Sequence, residues 1–178
     1  MSRPIAMQMI RNALLAVGTQ EEGNNAGDEV ESYLSQCKPV IPVGSPWCAA
    51  FVRAMMKTSA TQLNTTYDAA FPRSGYTPDW ANYAKQTGLW VPVSSIKSGA
   101  DVPRKGDIAL FYFSQLGRIG HIGIVLEVQS KYMWTIEGNT SPEPESDGVV
   151  ERDGDGVYKK NRKWSELGKL GGILRVNF

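Results

Sequence analysis

The sequence predicts an α+β fold in which N-terminal helices pack on a small antiparallel β-sheet, and three observations carry that expectation. Apolar residues recur at helical spacing through the first third of the chain. From Gly106 onward the apolar period shortens to two, and β-branched and aromatic residues take over. Helical and strand patterns are segregated rather than alternating, which argues against βαβ units. With 178 residues, 42% hydrophobic and 21% charged, the chain can bury an ordinary core, so residues 1–178 are expected to form a single domain.

Each element has its own local justification. Ile5, Met9, Ile10, Ala13, Leu14 and Val17 fall on one helical face, while Gln8 and Arg11 interrupt any secretory core segment. The expectation is an amphipathic first helix and synthesis in the cytoplasm without a signal peptide. The turn-rich EEGNNAGDE leads into a short second helix over 28–34, and CKPVIPVGSP carries too many prolines to be helical. Ser45 as N-cap and Pro46 at the first helical position start a third helix, with Phe51, Val52, Met55 and Met56 on its buried side. Thr77 and Pro78 repeat that signature for a fourth helix, which groups Trp80, Tyr83 and Ala84 and ends near Gly88. Strands are expected over 107–113, 119–128 and 132–137, with short ones at 149–151 and 156–158 and a closing one at 172–176. The stretch 140–155 reads as a surface loop.

Several function classes are excluded by these totals. A formal charge of +1 offers no basic face for nucleic acid or anionic lipid, and no apolar run approaches the roughly 20 residues of a membrane span. Neither partner is expected, and a monomer is. The segment Asp153-Gly154-Asp155-Gly156 lacks the remaining oxygen ligands of a calcium loop and reads as a solvated turn; no metal and no cofactor are expected.

Thiol chemistry would have few parts, because the chain has two cysteines and one histidine. Spacing alone leaves a Cys37–Cys48 disulfide open, although cytoplasmic synthesis favours two free thiols. Cys37 reads as a small buried side chain. Counted from Ser45, Cys48 is the third helical residue, where unpaired N–H groups and the positive end of the helix dipole favour the reactive thiolate. On the 119–128 strand, Ile122, Ile124, Leu126 and Val128 share the face expected to be buried, opposite His121, Gly123, Val125 and Glu127. On the next strand Tyr132, Trp134 and Ile136 oppose Met133, Thr135, Glu137 and Asn139. Stacking apolar on apolar through a three-residue loop at 129–131 pairs Val128 with Tyr132. That register sets Asn139 across from His121 and Glu137 diagonal to it, with Gly120, Gly123 and Gly138 leaving room. A polar partner on one imidazole nitrogen fixes the tautomer and leaves the other for a thiol.

The motifs PWCAAFV, WANYAKQTG, KGDIALF, GHIGIVLEV and TIEGNT, in this order, resemble the CHAP family of papain-like cysteine amidases and peptidases, relatives in fold of the NlpC/P60 cell-wall hydrolases. EEGNNAGDEVESYL and GGILRV resemble segments of phage-type members, so the likeness covers most of the chain. The resemblance implies a papain-like catalytic domain that splits an amide of bacterial peptidoglycan, either the muramic acid–L-alanine link or a bond within the stem peptide. It implies Cys48 as nucleophile, His121 as base and either Glu137 or Asn139 as the orienting third member, with the Cys48 N–H as oxyanion donor and Asn24 or Asn25 as a candidate second donor. Trp47, Asn25 and Trp80 are the candidates for substrate binding, and Tyr76, Trp90 and Tyr112 are further aromatic candidates for a groove. A phage lysin and an injected effector both fit a chain acting on the wall after release or delivery, and an inhibitor or delivery protein is a compatible partner. A non-catalytic wall-binding or virion-associated module and a protein deamidase or acyltransferase are the competing uses of the fold.

Overall fold

The computed structural model describes residues 3–66, 68, 71–142 and 154–178. The strand expected at 149–151 and Asp153 of the acidic turn lie outside the described residues. Four helices come first: α1 (Pro4–Ala16), α2 (Asp28–Ser35), α3 (Cys48–Gln62) and α4 (Thr77–Gln86). Then follow β1 (Trp90–Pro92), α5 (Val93–Ser98), β2 (Ile108–Phe113), β3 (Arg118–Gln129), β4 (Tyr132–Thr140), β5 (Gly156–Lys163), a 3₁₀ turn (Trp164–Leu167) and β6 (Gly172–Leu174). Among the described residues six strands form one antiparallel sheet in the order β1-β6-β2-β3-β4-β5. The predicted α+β arrangement stands.

Helix faces follow the apolar spacing closely. In α1, Ile5, Met9, Ile10 and Ala13 are buried, but the helix stops at Ala16, which leaves Leu14 largely exposed and Val17 outside the helix. In α4, Trp80 and Ala84 are buried, and Gly88 just past the end has φ +71°, the left-handed turn that glycine adopts without strain.

The sheet is covered on both faces, whereas parity alone led us to expect one. Ile108, Leu110, Ile122, Ile124, Ile136 and Leu174 pack into the large core shared with α1–α4. Ala109, Phe111, Val125, Met133 and Ile173 form a second core with Val93 and Ile96 of α5 and Leu167 of the 3₁₀ turn. The elements that cap this second face were not expected from sequence. β1 has three residues and α5 six, too short for any period to register.

The β3–β4 register arises differently from the expected one. The turn has two residues, Ser130 and Lys131, with Ser130 at φ +31°, so Gln129 pairs with Tyr132 and Val128 with Met133. Leu126 is then an extra, bulged residue, and beyond it Val125 pairs with Thr135 and Ile124 with Ile136. The bulge cancels the one-residue offset, so the alignment expected near the histidine is recovered by another route.

Both ends of the described chain converge on Asp107, whose side chain is fully buried. Its carboxylate accepts from Arg175 Nη1 (2.7 Å), Arg3 Nη1 (3.0 Å), and the backbone N–H groups of Arg104 (2.8 Å) and Val176 (3.3 Å). Burial is the largest influence on this carboxyl and raises its pKa, against the pull of Arg175 and the other donors. Because removing one partner of a buried pair strands the other, Asp107→Ala should lower unfolding stability by about 3–5 kcal/mol. Urea denaturation read by circular dichroism checks this.

Candidate active site

The helix start around Cys48 is shifted from the sequence expectation. Ser45 does not cap α3 and Pro46 is not helical; Trp47 is the N-cap residue and Cys48 is the first helical residue, not the third. The physical reason lies in β4: the Trp47 N–H donates to Asn139 Oδ1 at 3.0 Å, so a distant amide takes the place of a local cap. Ser45 instead closes a turn, its N–H donating to the Pro42 carbonyl. Cys48 stays within the first turn, where backbone N–H groups lack intrahelical acceptors and the dipole is positive. Cys37 is buried, and both cysteines are free.

His121 is wholly buried and its two nitrogens have different surroundings. Nε2 donates to Glu137 Oε2 at 2.8 Å. Nδ1 makes no hydrogen bond of regular geometry, yet the Cys48 side chain lies close enough to strengthen the ring's hold on its proton. Apo thiol–imidazole contacts are often loose in this way and tighten with substrate. Burial opposes the charged imidazole, but hydrogen bonding to Cys48 and Glu137, with the Glu137 charge, outweighs it and raises the pKa from 6.5 to about 9.

Glu137 is itself held in place from below. Arg162 Nε donates to Oε1 (2.9 Å) and Nη2 to Oε2 (2.6 Å), a two-point clamp, and the Thr135 hydroxyl donates to Oε1. Burial pushes this carboxyl up, and the Arg162 charge with its hydrogen bonds, helped by His121, carries it well below the usual carboxylate range. The guanidinium lies 5.3 Å from the Phe111 ring centroid. Glycine makes the approach feasible: a Cβ on Gly123 would sit 2.6 Å from Glu137 Cγ, and one on Gly138 would sit 2.7 Å from the Trp47 ring. Sequence reasoning missed Arg162. Its only signal was alternation along GVYKKNRK, which reads equally well as a solvated edge.

Asn139 does a different job from the one its register implied. It has φ +57°, an irregularity within β4, and its side chain turns to the helix start rather than to His121. Nδ2 donates to Asn25 Oδ1 (3.0 Å) and the Gly154 carbonyl (2.9 Å), so the amide ties three segments together. Geometry therefore separates the two candidates for third member: Glu137 touches the imidazole and Asn139 braces the residue before Cys48.

The three substrate-binding candidates are placed as supports instead. Trp47 is fully buried, its ring tilted against Tyr33 at 5.9 Å between centroids, with its indole N–H on Glu21. Trp80 is fully buried and its indole N–H donates to the Ser74 carbonyl. Asn25 is buried, its amide occupied by Asn139 and Asn24. Large rings at these positions went to the core because burying them stabilises more than exposing them. A groove of about 200 Å³ does open beside Cys48, lined also by Ile41, Ser45, Tyr76, Arg118 and Gly120. Of the aromatic candidates, only Tyr76 reaches it, and neither Trp80, Trp90, Tyr112 nor Asn25 lines it.

A thiol at a helix start, an imidazole beside it and a carboxylate on the far nitrogen, all between a helical layer and an antiparallel sheet, define the papain-like class of cysteine amidases and peptidases. Residues 40–139 match the CHAP domain, and the chain belongs to the CHAP family. At family level these domains are peptidoglycan amidases and peptidases. No curated protein and no solved structure gave a significant match.

Two outcomes follow from the buried charges. As the only histidine, His121 should show an NMR titration midpoint near pH 9 that falls back toward 6.5 in Glu137→Gln. The stability it contributes is complete below pH 6.5 and is lost as pH rises through about 9, so the Glu137→Gln deficit should shrink over that window. Arg162→Met should cost about 3–5 kcal/mol at pH 7 by stranding the Glu137 charge. The cost should be smaller at pH 4, where the variant's Glu137 takes up a proton; urea titrations at both pH values test the sign.

Proposed function

We propose that residues 1–178 form a single catalytic domain that hydrolyses an amide bond of the peptidoglycan stem peptide through a cysteine acyl-enzyme. The observation that carries this reading is the Cys48–His121–Glu137 line, with Nε2 committed to the carboxylate and Nδ1 left for the thiol. Membership in the CHAP family supports the substrate class.

In the first step Cys48 gives its proton to His121 Nδ1 as Sγ attacks the amide carbonyl carbon, and the resulting oxyanion meets the N–H groups at the start of α3. The His121 imidazolium so formed, stabilised by Glu137, gives that proton to the leaving nitrogen as the C–N bond breaks, which leaves a thioester on Cys48. A water then loses a proton to His121 and attacks the thioester carbonyl, and the carboxylic acid product departs as the C–S bond breaks and His121 returns the proton to Sγ. Glu137 orients the ring and stabilises the imidazolium, Arg162 keeps Glu137 ionised, and Asn139 fixes the position of the nucleophile's helix. The intact dyad weighs against a pure wall-binding module, which has no physical use for a buried thiol–imidazole contact. Among the described residues no helix is long and apolar enough to cross a membrane. The wall as the site of action, reached by phage release or by delivery from another bacterium, is part of this proposal.

Purified sacculi supply the test. Wild-type protein should release soluble fragments, and Cys48→Ala should release them at least about 1,000-fold more slowly. Equal release by both would exclude thiol catalysis. Mass analysis of the new ends distinguishes the muramic acid–L-alanine link from a bond within the peptide, and intact sacculi alongside deamidated protein would favour the deamidase alternative.

A further inference from the structure

Among the described residues, the groove beside Cys48 carries a cation and no anion. Arg118, the first residue of β3, lines it together with Tyr76 and Cys48, and none of the described lining residues is acidic. Arg118 has no ion pair among the described residues, in contrast to Arg3, Arg53, Arg162 and Arg175, each of which is bound to a carboxylate. Its guanidinium is nevertheless held in position: Nη1 donates to the Ile119 carbonyl at 3.0 Å, and Cζ lies 5.1 Å from the centroid of the Tyr76 ring. The same carbonyl accepts from the Thr77 hydroxyl at 2.8 Å, which ties the ring-bearing start of α4 to the start of β3. Tyr76 is about half exposed, so its ring forms a wall of the groove rather than part of the core.

We propose that Arg118, stacked on Tyr76, is a carboxylate-binding subsite that selects substrates with a free carboxylate close to the amide presented to Cys48. A guanidinium has five donors in a planar fork, and only one is spent on the protein, so a two-point pairing with a carboxylate is available. Stacking fixes the fork before the substrate arrives, which lowers the ordering cost of binding. Among the described residues no acid in the lining competes for the cation. The inference rests on the hydrolase reading above and deepens it. Stem-peptide carboxylates that wall chemistry leaves free would be favoured, and amidation to a neutral carboxamide would remove the charge that Arg118 reads.

The test uses two synthetic stem peptides that differ only in a free or an amidated carboxylate next to the scissile bond. Wild type should cleave the free-carboxylate peptide with a kcat/KM about 10- to 100-fold higher, expressed chiefly in KM, as a charge-assisted pair predicts. Arg118→Met should bring the two peptides to equal kcat/KM, and Arg118→Lys should restore part of the preference; thermal melts verify that both variants fold. No preference in wild type, or an equal loss on both peptides in Arg118→Met, would overturn the subsite. If wild type cleaves neither peptide nor sacculi, the hydrolase reading fails on its own. Calorimetric titration of Cys48→Ala with the uncleaved carboxylate peptide then decides the subsite separately: binding that vanishes on adding Arg118→Met retains it, and absent binding rejects it.

Discussion

The clamp of Arg162 on Glu137 is the interaction on which the site depends. A fully buried carboxylate would ordinarily take up a proton, and a protonated Glu137 could neither orient nor charge His121. Two donors from one guanidinium at 2.6 and 2.9 Å reverse that preference and hold the carboxyl ionised. The result is an alternation of charge from guanidinium to carboxylate to imidazolium that ends at the Cys48 thiol. Each member compensates the desolvation of the next, which is the condition under which buried charge is tolerated.

That line is anchored on rigid elements rather than on loops. His121 stands on β3 and Glu137 on β4, central strands covered on both faces, and Arg162 stands on the adjoining β5. Two residues beyond Glu137, Asn139 breaks the regular course of β4 and holds the amide before Cys48. One strand therefore fixes both sides of the thiol–imidazole contact, through Glu137 on the histidine and Asn139 on the helix start. Gly138 between them lets α3 approach closely enough for the two to meet. Asp107 performs the analogous task for the scaffold, since it joins the segment before β2 to Arg3 and Arg175.

The groove is polarised differently from the buried line behind it. Behind Cys48 the charges are paired and balanced. In front, Arg118 has a stacking partner and a backbone carbonyl but no counter-ion among the described residues. An ordered guanidinium with no counter-ion among the described residues, beside the Cys48 thiol, is the observation on which the proposed carboxylate subsite rests.

The sequence by itself determined the segregated helix and sheet halves, because apolar periodicity is a local property of each segment. It also determined that Glu137 and Asn139 would lie near His121, because a strand's parity leaves few alternatives, whereas the pairing of His121 with Cys48 was implied by the family resemblance and not by parity. Tertiary structure decided which polar partner does what. The left-handed backbone at Asn139 and the bulge at Leu126 are not visible to parity, and they gave the imidazole to Glu137 and the helix cap to the amide. It also placed Trp47, Trp80 and Asn25 inside, because whether a ring or amide is buried depends on what packs over it. Arg162 emerged only with the sheet assembled, since its value comes from a charge 25 residues away in sequence and hydrogen-bonded in space.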